Sequence, residues 1–212
     1  VRASRSLAGL LAALALLAAA APAAAAFLPP HFGANNPDLV VAFGDSLTEG
    51  VLGSPCDCNA ARPYPAGLDG LLAPTHPGIF VANRGKGGEQ TDGGLVRFQQ
   101  MLLADRPGFV LIMEGTNDAI HGEPPSAIVA RLRAMVQMAK TNFTIPILGL
   151  IPPNLREQTE GIIDAVNAQL PGVAASEDVL LVDTFSPLLD PGLFGDDDLH
   201  FTQAGYDRLA AL

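Results

Sequence analysis

At 212 residues, with 49% hydrophobic and only 16% charged side chains, the chain is too apolar for a disordered protein and long enough for one domain with a substantial core. Its formal net charge of −10, with 12 Lys and Arg residues and no basic run, argues against nucleic acid or anionic lipid headgroups as partners. Two cysteines, Cys56 and Cys58, are too few for a disulfide framework, and no neighbouring His or Cys completes a metal set. An oxidising compartment would make a bridge between them possible, although between i and i+2 it would close a small, strained ring, so they are read as a loop feature of either redox state.

Arg2 and Arg5 precede an apolar stretch over residues 7–20, and an Ala/Pro-rich tract ends in Ala24-Ala25-Ala26. This order predicts a secretory signal peptide over residues 1–26, cleaved after Ala26, and export to a periplasm or to the exterior. An uncleaved anchor is the alternative; Pro22 and the alanine-dominated composition disfavour it, so no stable membrane anchor is expected after cleavage. Loss of Arg2 and Arg5 takes the formal charge from −10 to −12. Residues 27–212 are expected to form a single domain.

Residues 27–38 hold Pro29, Pro30 and Pro37 and read as an irregular lead-in. Residues 39–43, Leu-Val-Val-Ala-Phe, predict a buried parallel strand that delivers Gly44-Asp45-Ser46-Leu47-Thr48-Glu49-Gly50. A Gly/Pro/Cys-containing loop follows to about residue 63, then a short helix over 64–72. A second strand over 78–82 leads into a glycine-rich tract over 83–91, and helical spacing resumes over 94–104. The most hydrophobic strand, residues 109–113, delivers Glu114-Gly115-Thr116-Asn117-Asp118. Pro124 and Pro125 begin a long helix. A fourth strand over 145–151, a helix over 156–170, a fifth strand over 179–182 and a last helix from Thr202 complete the chain. Such alternation predicts a doubly wound α/β fold with a five-stranded parallel sheet and helices on both faces.

In that fold the polar clusters after the first three strands, and the Asp196-Asp197-Asp198-Leu199-His200 turn, gather at one sheet edge, where ligands of open α/β sheets bind. Acyl transfer needs a nucleophile, a base, an orienting carboxylate and oxyanion donors. Ser46 supplies a hydroxyl, although Ser46 or Thr48 can equally cap a helix. His200 is the preferred base, with His121 its strongest rival and His31 and His76 less well placed. Asp197 lies three residues before His200, and Asp196 and Asp198 compete for its role. Gly88 offers a backbone N–H and Asn117 a side-chain amide, which with the Ser46 N–H make three donors; each also reads as a turn or cap residue.

Together these residues resemble the GDSL, or SGNH, hydrolase family, and the resemblance spans nearly the whole of residues 27–212. Gly44-Asp45-Ser46-Leu47 matches the first family block, Asn83-x-Gly85-x-x-Gly88 the second, Gly115-Thr116-Asn117-Asp118 the third, and Asp197-x-x-His200 the last. The resemblance implies a flavodoxin-like three-layer α/β/α sandwich and a triad of Ser46, His200 and Asp197. It also implies an oxyanion hole of Ser46, Gly88 and Asn117, with no metal or organic cofactor. Asp45, Leu47 and Thr116, which flank the motif positions, are expected to contact substrate. Gly87 departs from the serine or alanine common in the family, and the Gly53–Pro63 loop looks long and is expected to wall the pocket. The implied activity is that of a lipase/esterase acting on a small ester or acyl-lipid, similar to bacterial lysophospholipase/thioesterase-like esterases. Carbohydrate deacetylation, acyl transfer to an alcohol and a non-catalytic flavodoxin-like binding module are the alternatives.

Overall fold

The computed structural model describes residues 31–53 and 58–212. The predicted export signal over residues 1–26, and Cys56, lie outside the described residues. Along the chain run β1 (Asn36–Gly44), α1 (Ser46–Glu49), α2 (Tyr64–Leu72), β2 (Phe80–Gly85), α3 (Thr91–Asp105), β3 (Pro107–Met113) and α4 (Thr116–Ile120). They are followed by α5 (Pro125–Thr141), β4 (Ile145–Gly149), α6 (Glu157–Asn167), α7 (Leu170–Glu177), β5 (Leu180–Val182) and α8 (Gln203–Ala210).

All strand pairs are parallel, and the spatial order is β2-β1-β3-β4-β5. Alternation along β1 sets the two layers. Val41 and Phe43 join Phe98 and Leu102 of α3, Leu132 of α5 and Ile163 of α6 in one core. Val40 and Ala42 join Leu47, Tyr64 of α2 and Tyr206 and Leu209 of α8 in the other. This is the predicted α/β/α sandwich. From β1 the chain goes to β2 on one side and then to β3 on the other, so a crevice opens beyond the carboxyl ends of β1 and β3.

Several boundaries differ from expectation: β1 and β3 begin earlier, at Asn36 and Pro107, and β4 ends at Gly149. β2 runs on to Gly85, because its polar end residues still pair with β1 up to the Gly44–Gly85 register, and backbone pairing outranks side-chain polarity at an edge strand. The helix expected over 156–170 ends at Asn167, and a further helix, α7, follows over Leu170–Glu177, where none was expected. Pro171 sits in the first turn of α7, where a missing N–H costs nothing, but it cannot continue a preceding helix. The clusters after β1 and β3 are one-turn helices rather than loops. Thr202 caps α8 as expected, accepting the Gly205 N–H. Cys58 is disulfide-bonded, contrary to the strain argument from spacing.

The α2/α8 face is incompletely filled. An apolar cavity of about 360 Å³ lies between these helices and the sheet, lined by Tyr64, Phe109, Leu111, Ile147, Val182 and Leu209. Among the described residues no helix is long and apolar enough to cross a membrane.

Candidate active site

The turn after β1 is built around close approach. A Cβ on Gly44 would lie 2.1 Å from Thr48 Oγ1 and 2.4 Å from the Met113 carbonyl, so only glycine lets α1 fold back onto the strand end. Asp45, not Ser46 or Thr48, caps α1: its Oδ1 accepts the Leu47 N–H at 2.9 Å. Gly50, at φ +98, closes the helix after one turn. Ser46 is therefore presented at the first helical position, at the crevice.

His200 Nε2 lies 2.8 Å from Ser46 Oγ, and His200 Nδ1 lies 2.5 Å from Asp197 Oδ2. The carboxylate can only accept, so Nδ1–H donates to Asp197 and leaves Nε2 to accept the serine hydroxyl proton. The other oxygen, Oδ1, accepts the N–H groups of Leu199 and His200 at 3.1 and 2.9 Å. Partial burial of Asp197 opposes ionisation, but the His200 N–H, the imidazole and the Leu199 N–H outweigh it and hold the carboxyl below the usual range. Arg156 donates from Nε and Nη2 to the Asp197 carbonyl at 3.2 and 3.0 Å, and the Leu155 N–H to the Asp198 carbonyl at 2.8 Å. Of the rival bases, His121 is engaged with the Asn117 carbonyl through Nδ1, His76 with Thr75, and His31 packs on Phe143.

The histidine turn is brought to the serine by the segment that leaves α1. The Gly53 carbonyl accepts the Asp196 N–H at 2.7 Å, and the Gly53 N–H reaches the Phe201 carbonyl at 3.3 Å. A Cβ on Gly195 would overlap Gly53, at 1.7 Å from its carbonyl oxygen. The Tyr206 hydroxyl of α8 donates to the Val51 carbonyl in the same layer. Neither Gly53 nor Gly195 stands out in the sequence, because a glycine required by backbone contact reads as a glycine in a turn. Residues 54–57 of the adjoining loop, expected to wall the pocket, lie outside the described residues.

Gly88 and Asn117 come to the same place. A Cβ on Gly87 would be 3.9 Å from Ser46 Cβ, so this tract runs alongside the serine, and Asn117 Nδ2 donates to the Glu89 carbonyl at 2.9 Å. Gly88 has φ +72, with open space where a side chain would be. Among the described residues the N–H groups of Ser46 and Gly88 meet no protein acceptor. The Asn117 turn is tied to α3 by Asp118, which accepts the N–H and hydroxyl of Thr91 at 2.8 and 2.5 Å.

Asp45, Leu47 and Thr116 are placed differently from expectation. All three side chains are buried: Leu47 in the α2/α8 core, Asp45 capping α1 beside Thr116. They support the site from behind, because the turn that aims Ser46 at the His200 imidazole directs its neighbours inward. Burial, with Asp118 and Glu89 nearby, pushes the Asp45 carboxyl up to about 7 against the hydrogen bond from Leu47. Burial also pushes Glu114 well above the carboxylate range, with the nearby Asp45 and Glu89 adding to the effect. Among the described residues no group of three or more His, Cys, Asp or Glu is placed to hold a metal ion.

A doubly wound α/β sandwich with a hydrogen-bonded Ser–His–Asp array at its switch point defines a class, the serine-type acyl hydrolases. The model of the GDSL-like lipase/acylhydrolase family matches residues 42–208, and the chain belongs to that family as a GDSL-type carboxylic ester hydrolase. It is 30% identical over 174 residues to the esterase TesA of Pseudomonas aeruginosa, covering 80% of this chain and 83% of that one. Against the thioesterase 1/protease 1/lysophospholipase L1 of Escherichia coli it is 30% identical over 173 residues, covering 80% and 78%. The crystal structure of the lipase/acylhydrolase from Enterococcus faecalis superposes with a TM-score of 0.71 at 26% identity, over 82% of this chain and 91% of that one.

Proposed function

We propose that the protein is an exported serine esterase that cleaves acyl esters through an acyl-enzyme formed on Ser46. The observation that carries this reading is the unbroken relay from Ser46 Oγ through both ring nitrogens of His200 to Asp197. His200 Nε2 takes the hydroxyl proton as Oγ attacks the acyl carbon, and passes that proton to the departing alkoxide when the C–O bond breaks. Water then repeats the sequence on the acyl-enzyme, with His200 again accepting and returning the proton, and Asp197 steadies each imidazolium. The N–H groups of Ser46 and Gly88 and the free amide hydrogen of Asn117 hold the oxyanion, at about 3 kcal/mol per donor in comparable sites. Residues 1–26 serve as the export signal and are removed, leaving one domain over 27–212.

The names of the relatives make acyl esters and thioesters the first substrates to try. A chain-length series of aryl esters, acyl thioesters and acetylated sugars, assayed on the mature protein, measures the preference. Ser46→Ala and His200→Ala are expected to lower kcat by about 10⁴-fold or more. A fluorophosphonate should label wild type at Ser46 and leave Ser46→Ala unmodified; labelling elsewhere, or undiminished turnover, rejects the triad. Intact mass of the exported protein should begin at Phe27.

A further inference from the structure

Arg97 of α3 lies away from the triad yet touches the segments that carry Ser46 and Gly88, and its Nη2 lies 3.7 Å from Glu114 Oε1, three residues before Asn117. Its Nε donates to Glu89 Oε2 at 2.7 Å, and Nη2 pairs with the same carboxylate. Nη1 donates to the Arg84 carbonyl at 2.7 Å, near the end of β2, and Nη2 to the Gly44 carbonyl at 3.1 Å, two residues before Ser46. The guanidinium also lies over the Phe43 ring, 3.9 Å from its centre. Only a planar cation with donors on three nitrogens can bridge two strand ends and a carboxylate at once.

Glu89 directly follows Gly88, and its carbonyl accepts one amide hydrogen of Asn117. Fixing Glu89 therefore fixes two donors: the Gly88 N–H through the shared backbone, and the remaining Asn117 N–H through the orientation of its amide. On the other side of Gly88, the Glu49 carboxylate accepts the Gly87 N–H at 2.6 Å. With no Cβ at Gly87 or Gly88 to restrict the backbone, these two carboxylates hold the tract in register together with the Lys86 N–H on the Gly44 carbonyl, the Glu89 N–H on the Lys86 carbonyl and the Lys86 ammonium on Glu89.

We propose that Arg97 is a positioning residue for the oxyanion hole, acting through Glu89 on both Gly88 and Asn117. The proposal rests on the Ser46 acyl-enzyme reading and deepens it. Burial of Glu89 makes the pair effective: an ion pair shielded from water keeps a single geometry, which an exposed pair does not.

The test is a double-mutant cycle on the mature enzyme with p-nitrophenyl butyrate. Arg97→Gln is expected to lower kcat about 10- to 100-fold with KM changed less than about threefold, since a misaligned donor weakens transition-state binding more than substrate binding. In an Asn117→Ala background the same substitution is expected to cost less than about fivefold, because the part of its effect that runs through Asn117 is already lost and only the part through Gly88 remains. Arg97→Lys keeps the charge but not the fork and should recover only part of kcat. If Arg97→Gln does not fold, Glu89→Gln, which keeps the Asn117 contact but weakens the ion pair, enters the cycle in its place and should lower kcat in the same way.

Independent, fully multiplying losses would overturn the proposal. So would a loss confined to KM, or one that tracks only the folded fraction. If Ser46→Ala keeps turnover or Asn117→Ala leaves kcat unchanged, the acyl-enzyme reading itself fails, an outcome distinct from additivity in the cycle.

Discussion

A methyl group on Gly53 would lie 2.5 Å from the His200 carbonyl and 2.7 Å from Asp197 Oδ1. Gly53→Ala should therefore displace the acid–base turn, costing about 1–3 kcal/mol of stability as overpacking does. It should also lower kcat beyond what the loss of fold explains, measured by chemical denaturation beside initial rates. Asp45 gives a second expectation, in pH. Its carboxyl rises from 3.8 to about 7 on burial, so the folded state binds the proton more tightly than the unfolded chain. The stabilisation is complete below the unfolded value and is lost as pH rises through about 7. Asp45→Asn cannot ionise and keeps an oxygen for the Leu47 N–H. Its Tm should fall less than that of wild type between about pH 5 and about pH 8, with Glu114 leaving a residual slope. At this scale Ser46, His200 and Asp197 are legible in the sequence because each sits in a short motif at a strand end. Arg97 is not. In α3 it reads as one more charge on a solvent face, and only the fold reveals that its donors reach two backbone carbonyls and a carboxylate.

The one-turn helix α1 shows why a short motif carries so much. Within seven residues it needs a glycine for close approach, an aspartate cap, the presented serine and a left-handed glycine stop. The last helix is held in a comparable way: Thr202 caps it, and Tyr206 anchors it to the segment after α1. Thr202→Ala should cost about 1 kcal/mol, the usual value of such a cap, read as a lowered denaturation midpoint. Because Thr202 lies two residues after His200, activity should be lost at a lower denaturant concentration than sheet structure followed by circular dichroism. The five strands and the helices α2, α3, α5, α6 and α8 were readable from hydrophobic period, whereas α1, α4, α7 and the extension of β2 were not. α7 begins at Leu170 with Pro171 in its first turn, just beyond the residues expected to be helical. The extension depends on a neighbouring strand that no local window contains.

Over the whole molecule, strand–helix alternation predicts the parallel sandwich, and the order β2-β1-β3-β4-β5 places the crevice beside β1. The apolar cavity under α2 and α8 had no counterpart in the sequence, since its lining comes from six separate elements whose residues look like ordinary core. Its walls include none of Ser46, Gly88, Asn117 or His200. This apolar volume and the Ser46–His200 pair thus occupy different parts of the molecule.

The hydroxyl comes from the first strand's end and the imidazole from a turn 154 residues later, with Gly53 and Gly195 interlocked between them. If Ser46 and His200 act as proposed, a growing polypeptide on the ribosome carries an inert serine until its final stretch has emerged and clicked shut. On that reading turnover reports that synthesis has reached the last helix, and a chain cut short before His200 cannot attack the cell's own acyl groups.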